Sequence, residues 1–379
     1  MQLSLLSTVC GAALVAARPS LLNREIGNDF NGPLAPLINS TMIHNSVPFE
    51  EAIEKFASAP KAPSDPATYG DGPTKQELAK TGSTDVNFKT GLSAADCASS
   101  PNIRYEWDDY STSDKNALMS AFKCLMNKPP SGAFAHSTSR WEDFAALHQA
   151  YTPNVHSTST KRNAKFLLWH RYFVWTFEQV LRDECGFDRA FFWFDETKHA
   201  GAFSSSTAFS ASYLGRLNAD HHCVTDGQFG GLTVNIGPGT GFQSRCLDRA
   251  GNSQASANCN TDYVNSCLSN SVYDNFANCF ELGPHSYGYS GVGGVGGDLY
   301  SSPAEPFFWF HHTFVDRVYR IWELADTNTR YNTLSGTDIN GNAITLDTPI
   351  FMGGIRPDTT VREMINTLSG STLCYRYNY

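Results

Sequence analysis

Two stretches of the chain carry an almost unbroken apolar, aromatic face with a histidine set into it. Residues 166–186, FLLWHRYFVWTFEQVLRDECG, place His170, Phe173, Phe177 and Leu181 at helical spacing, and Gly186 is a natural stop. Residues 307–323, FFWFHHTFVDRVYRIWE, do the same with Phe308, His312, Val315, Tyr319 and Trp322, after a proline suited to a first helical position, Pro306. A third pattern, SRWEDFAALHQA, begins at Ser139 with Glu142 three residues on, which predicts a capping box, and sets His148 on the apolar side with Phe144. Another helix is expected from about Ser113, apolar at Leu118, Ala121, Phe122 and Leu125. A single buried histidine of this kind is usually an ordinary core residue bonded to a carbonyl. Two such helices, with further histidines upstream of each, are what a two-metal site in a helical bundle requires.

The rest of the chain is less periodic. Residues 1–17 form a short apolar run ending in Val15, Ala16 and Ala17, then Arg18, which predicts a secretory signal cleaved after Ala17. Residues 18–90 read as an N-terminal extension, with a short helix at FEEAIEKFA, a linker-like stretch at 58–73 and a glycosylation sequon at Asn39. The metal-binding domain is expected over 91–379. Residues 151–165 read as a polar loop containing His156, and 200–284, rich in Gly, Ser, Asn and Cys, as a long loop region stapled by disulfides. His285 falls in a glycine-rich loop, and a last short helix is expected near 358–368.

Charge and cysteines narrow the class. A net charge of −9 gives a nucleic-acid role no electrostatic support, and no stretch is long and apolar enough to span a membrane. Ten cysteines, less Cys10 in the signal, leave nine, read as disulfides with one thiol over. A secreted or lumenal protein follows. No zinc-finger spacing, G-x-S-x-G elbow or phosphate-binding glycine loop is present.

The candidate ligands are His148, His156 and His170 in one set, and His285, His311 and His312 in the other. Neutral imidazoles suit copper, zinc or non-haem iron, and the lack of carboxylates at these spacings argues against calcium or magnesium. Adjacent on a helix, His311 and His312 point about 100° apart, so only one can face a given metal. Asp316, four residues on, is placed either as an acceptor behind His312 or as a surface partner of Arg320. His221 and His222 are weighed as lending a ligand to the second set, and His199 as a solvated loop residue.

FLLWHRYF, SPAEPFFWFHH with its following Asp316, and the intervening CVTDGQFGGLTVNIGPG and RCL resemble the short secreted tyrosinases and catechol oxidases of filamentous fungi, from about Cys97 to the terminal LCYRY. The resemblance implies a mainly helical fold, a central four-helix bundle holding two coppers that bind dioxygen and oxidise o-diphenols to o-quinones. It implies His148, His156 and His170 as ligands of the first copper, His285 and His312 of the second, and His311 as a neighbour in the shell. The chain departs from the pattern in several places. Tyr289 stands where the family has a second-site histidine, Asn154 where many fungal members have a crosslinking cysteine, and Ser286 where monophenol-hydroxylating members have asparagine; Trp193-Phe194-Asp195 replaces Trp-Asp-Trp. Two functions are therefore expected. One is oxidation, with dioxygen, of a small aromatic o-diphenol or o-aminophenol of secondary metabolism through an altered second copper site. The other is a zinc-dependent, non-redox ring contraction of the cyclopenase type from quinolone alkaloid pathways, with Tyr289 as a catalytic proton or hydrogen-bond donor.

Overall fold

The computed structural model describes residues 93–379 apart from 159, 219–220 and 371. The expected signal segment, the extension at 18–90 and the sequon at Asn39 lie outside the described residues.

The helices of the domain include α1 (Ala94–Ser99), α2 (Thr112–Asn127), α3 (Arg140–Val155), α4 (Phe166–Cys185), α5 (Thr261–Leu268), α6 (Tyr273–Phe280), α7 (Ser286–Val292) and α8 (Phe307–Leu324), of which α2, α3, α4 and α8 are the periodic stretches. Gly186 ends α4 in the left-handed conformation, φ 65°, as its position predicts. The predicted box on α3 forms by half. Ser139 accepts from the Glu142 N–H, but the Glu142 carboxylate turns to Thr138 and Asn235. Pro306 sits at the cap of α8 rather than at its first helical position, and the Glu305 carboxylate accepts from the Phe307 N–H at 3.0 Å while pairing with buried Arg249.

The region expected to be loop is more ordered than its composition suggests. α5 and α6 each have eight residues, too short to show a clear apolar period, and the Cys267–Cys279 disulfide joins them. α6 runs on through a π-helical turn, Glu281–His285, into α7, so His285 opens a helix instead of lying in a loop. Gly283 makes this kink possible. Its backbone is non-helical, and an added Cβ would meet the Tyr263 hydroxyl at 2.6 Å. Pro284 then falls where its missing N–H costs little, at the start of the next helix. Likewise α3 extends to Val155, which makes His156 its C-cap, not a loop residue. The C-terminal helix is limited to Val361–Met364.

Four disulfides form, Cys97–Cys374, Cys124–Cys185, Cys223–Cys246 and Cys267–Cys279, and Cys259 is the thiol left over. The first lies beside a small parallel sheet in which β1 (Asn102–Glu106) runs between β2 (Phe192–Trp193) and β3 (Tyr375–Tyr377), joining both ends of the domain. α4 packs on α8 and α2, and α3 on α2 and α4. Trp309 stacks on Phe177 across the α4–α8 contact, with ring centroids 3.5 Å apart.

Sheet and helices are tied by buried charges. Asp316 of α8 accepts from Arg171 of α4 at 2.6 Å, from Arg104 of β1 at 3.1 Å, and from the Tyr375 and Tyr377 hydroxyls of β3 at 2.6 and 2.5 Å. Glu178 and Glu323 complete the set, on Arg104 and Arg171 respectively. Burial pushes the Asp316 carboxyl up, but Arg171 and Arg104 outweigh it and hold the group below the usual carboxylate range. A carboxyl depressed on folding contributes stability that is complete above its unfolded value, about 3.9, and is lost as pH falls through its folded value. Asp316→Asn should therefore cost about 3–5 kcal/mol at neutral pH by leaving two buried arginines undercompensated. It should also flatten the acid limb of the stability profile. Urea unfolding of both proteins against pH measures both effects, and a loss near zero at pH 7 would show that the network is dispensable.

Candidate metal centre

Three imidazoles converge at the bundle's centre from α3, its C-cap and α4. The Nε2 atoms of His148 and His156 lie 3.1 Å apart, and those of His148 and His170 3.4 Å apart. All three rings are at most 3% exposed. Each Nδ1 is already committed: His148 to the Tyr300 carbonyl at 2.9 Å, His170 to the Phe166 carbonyl at 2.8 Å and His156 to the Glu281 carboxyl at 3.2 Å. Donation from Nδ1 leaves Nε2 bare, so three lone pairs point at one another. Burial holds the rings neutral, lowering His148 to about 4 and driving His156 and His170 well below their ordinary value. Neutral, bare nitrogens at this separation repel unless a cation lies among them. Among the described residues this is the one group of three or more His, Cys, Asp or Glu whose ligand atoms all fall within 4.8 Å of each other.

The second set faces the first. His170 of α4 stacks on His312 of α8 with centroids 4.4 Å apart and planes 13° apart, far inside the ~10 Å that neighbouring helix axes would allow. His285 lies 5.3 Å from His312 and 5.9 Å from His156. Nε2 of His285 and both nitrogens of His312 are buried without a partner. One turn after His285, the Tyr289 ring stands 5.0 Å from it and 5.9 Å from His312. The Tyr289 hydroxyl is buried beside Ser302, with no partner at hydrogen-bonding geometry. Phe166 and Phe308 pack against both histidine sets.

The expected role of Asp316 is corrected. It does not back His312, and its oxygens are taken by Arg171, Arg104, Tyr375 and Tyr377, while Arg320 donates to Tyr331. Its i+4 spacing from His312 was compatible with a contact; the stronger pull of two buried guanidiniums turns it the other way. The His311 ring lies 4.4 Å from that of Tyr289 and 5.1 Å from that of His285. His221 is exposed on Asp248, and His222 lies exposed on a short strand paired with Asp248–Arg249. His199 is stacked on Phe194 and meets Asp108.

Two carboxyls that sequence reasoning missed belong to the centre. Glu281 receives His156 and both the N–H and hydroxyl of Ser157, and burial pushes it up to about 8. Its place four residues before His285, on the same helical face, was a usable signal. Glu196 meets His311 at 2.5 Å and had no such signal.

Fold and site together define a helical metalloprotein whose buried histidines come in two facing sets. Residues 138–325 match the common central domain of tyrosinase. The chain is 28% identical over 343 residues to Tyrosinase P of Aspergillus terreus, covering 76% of this chain and 95% of that protein. It is 25% identical over 346 residues to N-acetyl-6-hydroxytryptophan oxidase ivoB of Emericella nidulans, covering 74% and 93%. A variant polyphenol oxidase from Thermothelomyces thermophila superposes with a TM-score of 0.67 at 28% identity, over 74% of this chain and 89% of that one. A functional unit of octopus hemocyanin shares the fold, with a TM-score of 0.51 at 18% identity over 73% and 68%. The chain belongs to the tyrosinase family as a divergent member.

Tyrosinase-family proteins bind copper, and the donors fit: three bare, neutral nitrogens in the first set, and unpartnered buried donors in the second. If His148, His156 and His170 are the protein ligands of the first position, removing one should empty it, and His156→Ala and His170→Ala should each lower metal affinity there by more than the ~10–100-fold typical of supporting residues. Elemental analysis after dialysis at matched free metal would show it. Undiminished content in both variants would exclude these residues as ligands.

Proposed function

We propose that the protein is an oxidase of a small phenolic metabolite, an o-diphenol or o-aminophenol, working through two coppers, the second held in an altered site. The observation that carries this reading is the His170–His312 stack, which brings two sets of imidazoles into contact across one buried wall. His148, His156 and His170 would hold one ion, and His285 and His312 the other, with Tyr289 at the position of the missing histidine. Bound copper supplies the redox chemistry that takes an o-diphenol to an o-quinone, with dioxygen as the electron acceptor.

The chain's own side chains do the rest. The carbonyls of Tyr300, Phe166 and Glu281 hold Nδ1 of His148, His170 and His285, which fixes three rings and leaves their Nε2 atoms free. The Phe166 and Phe308 rings exclude water around them. Tyr289 offers a hydroxyl that lies beside Ser302 without a partner at hydrogen-bonding geometry, able to donate a hydrogen bond to a substrate oxygen. Four disulfides suit a secreted or lumenal enzyme.

Tyr289 is also what favours the second reading, a zinc-dependent ring contraction in which its phenol works as a proton donor. Dioxygen separates them. Turnover of an o-diphenol should stop under strict anaerobiosis, and Tyr289→His should complete a three-histidine second site and raise catechol oxidation. Anaerobic turnover by zinc-loaded protein, abolished by Tyr289→His, would establish the ring-contracting reading instead.

A further inference from the structure

Three features beyond the histidine sets invite a role. The groove lined by Tyr151, Lys165, Trp169 and Phe351, about 420 Å³, is open, but nothing at it points to a particular ligand. The lone thiol Cys259 is fully buried against other groups. The third feature, the carboxyl of Glu196, reaches the centre itself.

Glu196 stands in a short turn after β2, 0% exposed, and its Oε1 lies 2.5 Å from Nδ1 of His311. The Cys259 thiol lies against the same carboxyl and also donates to the Pro284 carbonyl at 3.5 Å, one residue before His285. The other side of the His311 ring faces the backbone carbonyl of His285 without reaching hydrogen-bonding geometry. α7 accommodates all this through Gly288. A Cβ there would fall 2.5 Å from Cε1 of His311 and 2.9 Å from Oε2 of Glu196. The helix that begins after its cap His285 and carries Tyr289 is only seven residues long, leaves a kinked π-turn and ends at Gly293 with a positive φ of 64°. Such a helix has little stability of its own, so its position is set by what it packs on. Its far end is tied to residues 250–256 through the Ala250 and Asn252 N–H groups, which donate to the carbonyls of Val292 and Gly291 at 2.8 and 2.9 Å. At Gly288 and Tyr289 it packs on His311, and Glu196 fixes His311.

We propose that Glu196 is the positioning residue of the second metal site. Acting through His311, it sets α7 against α8 and so holds His285 and Tyr289 in register with His312. A supporting partner of this kind typically changes metal affinity ~10–100-fold. The proposal rests on the two-copper reading above.

The test compares two variants in the copper-loaded protein. Glu196→Gln keeps a hydrogen bond to His311, and Glu196→Met fills the same volume without one. Copper per protein, Cu(II) electron paramagnetic resonance and thermal unfolding are measured for each. Two neighbouring Cu(II) ions couple and are silent, whereas one alone gives a signal. Wild type and Glu196→Gln should hold a coupled, silent pair. Glu196→Met should lose about half its copper, through the ~10–100-fold weaker second site, and show an uncoupled signal. A coupled pair retained in Glu196→Met, or equal copper loss in both variants tracking their unfolding temperatures, would overturn the proposal. A single copper in wild type would overturn the two-copper reading itself, and the proposal with it.

Discussion

Two buried arginines converge on one aspartate, and the helices that carry the metal-site histidines hang from that contact. Arg171 follows His170 directly on α4, and Asp316 lies one turn beyond His312 on α8, so the 2.6 Å bond between them sets the rotation and height of one helix against the other. Charges taken out of water are costly unless every donor and acceptor finds a partner. Here Arg104, Tyr375 and Tyr377 fill the remaining valences of Asp316, and they come from the two strands that join the ends of the domain. The last residues of the chain are therefore part of the scaffold of its centre, although none of them approaches a ligand histidine.

On the other side of that contact the environment is the reverse. Aromatic rings surround the imidazoles, burial keeps them uncharged, and backbone carbonyls dictate which nitrogen carries the proton. Oriented donors in a dry site need no rearrangement to receive a cation, which is the general advantage of preorganisation. The arrangement is unsymmetrical. The first set is three nitrogens already converged. The second is spread over a helix pair and includes a phenol, so its geometry depends more on the groups that press the two helices together.

What could be read from the sequence was what is local. Helical spacing located α4 and α8 and placed His148, His170 and His312 on buried faces, because period and burial are properties of adjacent turns. The resemblance to the family's motif, not this chain's own spacing, marked Tyr289 as the odd residue of the second set. Contacts across the fold could not be read that way. Glu196 meets His311 from 115 residues away, and Asp316 chose Arg171 at a separation of 145 over the neighbours its own helix offered. Composition misled where elements were short: glycine, serine and asparagine between 200 and 284 concealed α5 and α6, and Gly283 with Pro284 concealed the start of α7. A glycine that reads as loop can equally mark where two packed elements come close.

Glu281 holds one ring from each set. Its carboxyl engages Nδ1 of His156, while its backbone carbonyl engages Nδ1 of His285 four residues on. If the two sets hold ions as proposed, a shift of this residue on filling one position would be passed to an imidazole of the other through the kinked turn. Affinities linked in this way are coupled reciprocally. Whichever position is filled first would then alter the affinity of the other by the same factor.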